Sequence, residues 1–162
     1  MEKEKLLKEL REKFERLKKE LNLKVSFEEL NEIFYLDDFI LTSEFVSENL
    51  ERQLRYRILD FYHNWANYLH GIVLPNPQSL FAMAESKMFN EEEKKKMMKL
   101  MTKILSYICL NSKINITNNK KDIAYFIDNS VIFWKKELKD ELEKILTKVC
   151  NEWKKKSEES SN

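Results

Sequence analysis

TNNKKDIAYFIDNSVIFWKKELKDELEKILTKVCNEW, residues 117–153, places apolar side chains at Ile123, Ile127, Val131, Trp134, Leu138, Leu142, Ile145, Val149 and Trp153. Every step is three or four residues, so all nine fall on one face of an α-helix; a half-buried strand would repeat every two. Thr117 or Asn118 stands where a cap is needed, and a long helix is expected over about 118–153.

The same period recurs upstream. Leu50, Leu54, Ile58, Phe61, Trp65, Leu69 and Ile72 mark a second long helix over about 43–72, capped by Thr42 or Ser43. Pro75-Asn76-Pro77 stops it, because proline lacks the amide donor and restricts the residue before it. Leu7, Leu10, Phe14, Leu17 and Leu21 make a narrow stripe on a first helix over about 2–21. Ser26 and Glu29 form a capping box, with Val25 and Leu30 as its hydrophobic staple, so a short helix should begin at Phe27. Asp37-Asp38 marks a bend or weak terminus. A short helix is expected from Pro77 through Ala84. Asn90 with Glu93 opens another, carrying Met97, Met98, Met101, Ile104, Leu105 and Ile108, and the polar run 111–119 reads as a loop.

One Gly and two Pro in 162 residues leave little for hairpin turns, which need positive φ. The fold is therefore expected to be all-α, an irregular bundle of five to six helices with the two longest over about 43–72 and 118–153. Its core should hold Leu54, Ile58, Phe61, Trp65, Leu69, Ile104, Ile108, Ile127, Val131 and Trp134. A single domain over 1–153 is expected, followed by a polar, frayed tail at 154–162.

No run of 18 apolar residues exists, and the charged start Met1-Glu2-Lys3-Glu4-Lys5 has no apolar signal core, so a cytoplasmic protein without a membrane partner is expected. Cys109 and Cys150 have no CxxC spacing and read as small buried residues in a reducing compartment.

The net charge of +1 conceals segregation. Residues 25–85 hold ten acids, three arginines (Arg52, Arg55, Arg57) and no lysine, whereas 87–162 hold seventeen basic and twelve acidic residues. Within the first of these stretches, Phe61 to Ala84 contains no Asp, Glu, Lys or Arg. Opposite the apolar stripe of the helix at 43–72 lie Arg52, Tyr56, Leu59, His63, Ala66 and His70, with Asn67 beside them. A surface helix would carry Lys and Glu there. The helix is accordingly expected to be packed on two sides, and Arg52, Arg55, Tyr56, His63, Asn67 and His70 form the candidate polar site or interface. A structural ladder of hydrogen bonds is the competing reading of the same residues.

No metal is expected, since His63 and His70 stand two turns, about 10 Å, apart. No cofactor is expected, and neither a nucleophile elbow nor a phosphate loop occurs. The first expectation is a non-enzymatic interaction or adaptor protein, self-associating or binding a protein partner through the Lys-free aromatic segment 25–86. Its motive is that aromatic residues and Arg favour interfaces while Lys is depleted there. The alternative is a nucleic-acid-binding protein using the Lys-rich helices of 87–156. The second alternative is a small-molecule or phosphate-ester enzyme, with Arg52 or Arg55 as anion clamp, His63 or His70 as general acid–base, and Tyr56 and Asn67 as orienting groups.

Overall fold

The computed structural model describes residues 2–161; Met1 and Asn162, the ends of the expected domain and tail, lie outside the described residues. The chain is all-α, and no strand occurs among the described residues. Its helices are α1 (Glu2–Leu21), α2 (Phe27–Phe34), α3 (Leu36–Ser43), α4 (Leu50–Val73), α5 (Leu80–Lys87), α6 (Glu91–Thr117) and α7, a continuous run over 120–160. These seven exceed the five to six expected from the sequence. No helix among the described residues is long and apolar enough to cross a membrane.

The extra helix comes from a break that the apolar period conceals. Glu44 takes a left-handed conformation (φ 61°) and its N–H bonds to the Ile40 carbonyl, which ends α3. Gln53 then folds the next residues into a loop: its Oε1 accepts from the Ser47 N–H at 2.9 Å and its Nε2 donates to the Phe45 carbonyl at 3.2 Å. The Asn49 side chain accepts from the Arg52 N–H, so the helix expected over 43–72 starts at Leu50 instead.

The opposite correction applies to 111–119. The expected loop is the last part of α6, which runs to Thr117. Asn118 closes it with φ 51° and an N–H bond to the Ile114 carbonyl. Asn119 caps α7 by accepting from the Asp122 N–H at 3.0 Å. Left-handed positions in this chain fall at Asn22, Tyr35, Glu44 and Asn118, none of them glycine, while Gly71 sits inside α4 with no positive φ.

The expected 118–153 helix thus runs over 120–160, and it is not uniform. Lys120–Phe133 leads into a π-helical turn, Trp134–Leu138, closed by the Lys139 N–H on the Trp134 carbonyl, and Lys139–Ser160 follows. One extra residue per turn separates buried positions by five, and Phe133 and Leu138 are both buried. Trp134, expected in the core, is half-buried; Phe61, Trp65 and Ile108, also expected in the core, are half-buried too. The other six expected core residues are buried.

Two compact units divide the chain: Met1–His63 with Ser106–Ile132, and Asn64–Leu105 with Phe133–Asn162. In the first, Phe14, Leu30, Phe34, Leu36, Ile40, Ile58 and Phe126 are almost wholly buried. Aromatic edges knit that core, with Phe34 against Phe61 at 5.0 Å and Tyr107 against Phe126 at 5.3 Å. The Tyr62 hydroxyl donates to the Ser130 carbonyl, and burial raises the phenol's pKa well above its ordinary range. The expected capping box is present, Ser26 and Glu29 each accepting from the other's backbone N–H. In the second unit, Leu69, Ile72, Met97, Ile104, Leu138 and Leu142 form the core.

Candidate functional site

The helix α4 was expected to be packed on two sides. Its buried line is Leu50, Leu54, Ile58, Tyr62, Ala66 and Leu69, joined by Gln53 and Arg55. The opposite side meets solvent: Arg52, Tyr56, Asn67 and His70 are exposed, and His63 is half-buried. Water satisfies such groups without a protein partner, so this face forms no sealed polar ladder. Arg52, Arg55, Tyr56 and His63 belong to the first unit, Asn67 and His70 to the second. Among the described residues no hydrogen bond or ion pair joins any two of the six.

Arg55 is the exception to this exposure, with a relative accessibility of 0%. Its Nε donates to Glu51 Oε2 at 2.6 Å, and its Nη1 donates to Asn111 Oδ1 at 2.6 Å and Asn115 Oδ1 at 3.0 Å. Glu51 is on the same helix one turn back, while both amides come from α6. A guanidinium offers a planar fork of five donors, which suits a buried site that must be fully bonded. The spacing of Arg55 and Glu51 was visible in the sequence; Asn111 and Asn115 were not, because they lay in an expected loop. Arg57 is also engaged, its Nε donating to the Phe34 carbonyl at the end of α2 at 2.6 Å.

The first unit has a cavity of about 410 Å³ between Lys13, Arg16, Glu20, Glu48, Glu51 and Lys120. Its charges largely pair with one another, Lys13 with Glu48 and Lys120 with Glu20. Hydrogen bonds donated to Glu48 and then Glu9 hold the Lys13 ammonium above its ordinary pKa. The second unit has an open groove of about 450 Å³ beside Trp65, Trp134, Leu142, Leu146 and Cys150, with the two indoles 6.3 Å apart. A smaller cavity of about 170 Å³ includes Glu93 and Lys148, paired at 2.8 Å. That hydrogen bond and the Asn90 backbone N–H hold the Glu93 carboxyl below its usual range. None of the six candidates lines these three spaces.

Among the described residues no group of three His, Cys, Asp or Glu side chains is placed to hold a metal ion. Cys109 and Cys150 are free and exposed, correcting the expectation that both are buried. Each lies on the outward side of its helix, where burial of the neighbouring apolar stripe does not reach.

Three large apolar side chains are exposed close together in the stretch that lacks charge. Leu74 is 64% exposed, Leu80 85% and Phe81 74%, all within eight residues. Asn76 builds the turn between them, accepting from the Gln78 N–H at 3.0 Å, and Ser79 caps α5. Phe81 meets the Trp153 indole edge-on at 5.9 Å, and the indole N–H donates to Glu85 at 2.9 Å. The uncharged run pointed to this region, but its period could not tell an outward Leu80 from an inward one. The chain matches no protein-family model, no curated protein and no solved structure.

Proposed function

We propose that this chain is a helical interaction protein that docks a protein partner through the turn and helix at 74–81. The observation that supports this reading is the exposure of Leu74, Leu80 and Phe81 on a stretch without a charged residue. Single exposed apolar residues are ordinary on protein surfaces, but several within one short segment are the usual mark of a contact surface. The turn is also pre-shaped: Pro75 and Pro77 limit its backbone, and Trp153 supports Phe81 from behind. A preordered anchor loses little conformational entropy on binding.

The catalytic alternative has less support, since Arg55 is fully occupied within the first unit and neither histidine is bonded to an arginine of the site. A photo-activated cross-linking residue replacing Leu80 tests the docking reading in cells. It should capture a defined protein that the same residue replacing the exposed Lys121 does not. Capture of the same mixture at both positions would refute it.

A further inference from the structure

We infer that α6 pairs with α6 of a second copy of this chain in antiparallel register, through the face carrying Met98, Thr102, Leu105, Cys109, Ser112 and Ile116. These residues follow one another at intervals of four, three, four, three and four, which confines them to an arc of about 80° on a helix of 100° per residue. All six are exposed, Met98 to 42%, Leu105 to 51% and Ile116 to 85%. The buried line of the same helix, Met97, Leu100, Ile104, Tyr107, Asn111 and Ile114, lies roughly opposite. The outward stripe belongs to one unbroken helix, so its geometry is that of α6 alone.

The charged residues of α6 are Glu91, Glu92, Glu93, Lys94, Lys95, Lys96, Lys99 and Lys103 in its first half and Lys113 in its second, and none of them falls on these six positions. The two hydroxyls on the stripe turn back onto their own helix, Thr102 donating to the Met98 carbonyl at 2.8 Å and Ser112 to the Ile108 carbonyl at 3.4 Å. They therefore present carbon and an already used hydroxyl outward. A helix apolar on two opposite faces has one more partner than a surface helix needs.

The order of the six residues identifies that partner. Reversed about position 107, the stripe maps onto itself: Met98 onto Ile116, Thr102 onto Ser112, and Leu105 onto Cys109. A two-fold axis at Tyr107 thus sets apolar groups on apolar groups and hydroxyl on hydroxyl, the self-complementarity an isologous contact requires. The helix dipoles favour the same direction: antiparallel pairing opposes them, whereas parallel pairing aligns them and brings Glu91 and Glu92 onto their own copies. The stripe is about 27 Å long and one helix wide, which places the contact in the small, concentration-dependent class of interfaces. It shares no residue with 74–81, so either surface can fail while the other stands.

Sedimentation velocity of the full chain from about 1 to 500 μM tests the contact. The native protein should shift from monomer to dimer across that range. Leu105→Glu and Ile116→Glu, both outward and each checked for unchanged helical circular dichroism, should each weaken dimerisation by about tenfold or more. The register has its own test in a Cys150→Ser background. Cys109 alone should form a disulfide poorly, because the Cα atoms of the two Cys109 residues lie about 7–8 Å apart, from ~6 Å along the axis and ~4–5 Å between facing Cα atoms, at the edge of the reach of about 7 Å. Adding Leu105→Cys should give a dimer closed by disulfides between positions 105 and 109. A monomer at every concentration, a dimer indifferent to both glutamates, or ready oxidation of Cys109 by itself would each overturn the proposal.

Discussion

Arg55 shows at a single residue how this chain trades a surface cation for a structural one. The side chain is wholly buried, and its guanidinium is bonded to one carboxylate and two amide oxygens. Removing such a group leaves the buried Asn111 amide and the largely buried Glu51 carboxylate, 16% exposed, without their donor, and stranding both is costly. Arg55→Ala is expected to destabilise the protein by about 3–5 kcal/mol, measured by urea denaturation. Arg55→Lys should recover only part of that, because an ammonium on a flexible stem cannot reproduce the planar fork. A loss under about 1 kcal/mol in Arg55→Ala would show that water replaces the guanidinium and that the network is not structural. The other five candidate residues carry no comparable penalty, being exposed or half-buried.

Among the elements, what could be read from the sequence was what neighbouring residues decide. The capping box at Ser26 and Glu29 spans three residues, and so does the reciprocal bond of Asn90 with Glu93; both appear as expected. The break at Glu44 depends on Gln53, which reaches back six to eight residues to order the loop. Continuation of α6 through Asn111 is supported by Arg55, 56 residues away. Neither contact leaves a mark in the apolar period. The π-helical turn is similar, since Phe133 and Leu138 can be counted into either helical period until the backbone is known. The same limit applies to the candidate site: the alternation through Arg52, Tyr56, His63 and His70 marks one face of α4, but that face meets solvent and not the second packing partner expected. Gly71 offers a test at this scale. It sits inside α4, and a methyl group built on it meets nothing within 4 Å. Gly71→Ala should stabilise the protein by about 0.5–1 kcal/mol through lower backbone entropy in the unfolded chain and better helix propensity. Thermal unfolding should show a higher midpoint; an unchanged or lower one would mean that α4 needs the freedom of glycine at this turn.

For the whole molecule, the decision between a protein partner and a nucleic acid rests on charge. The unit Met1–His63 with Ser106–Ile132 contains fifteen basic and seventeen acidic residues, and the unit Asn64–Leu105 with Phe133–Asn162 fourteen and eleven. Neither has the excess that a polyanion-binding surface requires. The lysines of the carboxy-terminal half are also engaged: Lys103 pairs with Glu137, Lys113 with Asp122, Lys144 with Glu141, Lys148 with Glu93 and Lys155 with Glu152. A phosphate approaching any of these must displace a carboxylate already there, so the counterion release that drives association is partly spent. Lys87, Lys94, Lys95, Lys96, Lys99, Lys121, Lys136, Lys139, Lys154 and Lys156 stand outside these pairs, but they are divided among α5, α6 and α7 and interleaved with acidic residues. Binding to single- or double-stranded nucleic acid is therefore expected to be weak, to fall off with a logarithmic salt slope shallower than about −4, and to vanish near physiological ionic strength. Fluorescence anisotropy with labelled oligonucleotides across a salt series measures this slope directly. A complex that survives about 0.2 M salt with a slope steeper than about −6 would mean six or more phosphates are contacted, and would move the assignment from the 74–81 surface to the lysine-bearing helices.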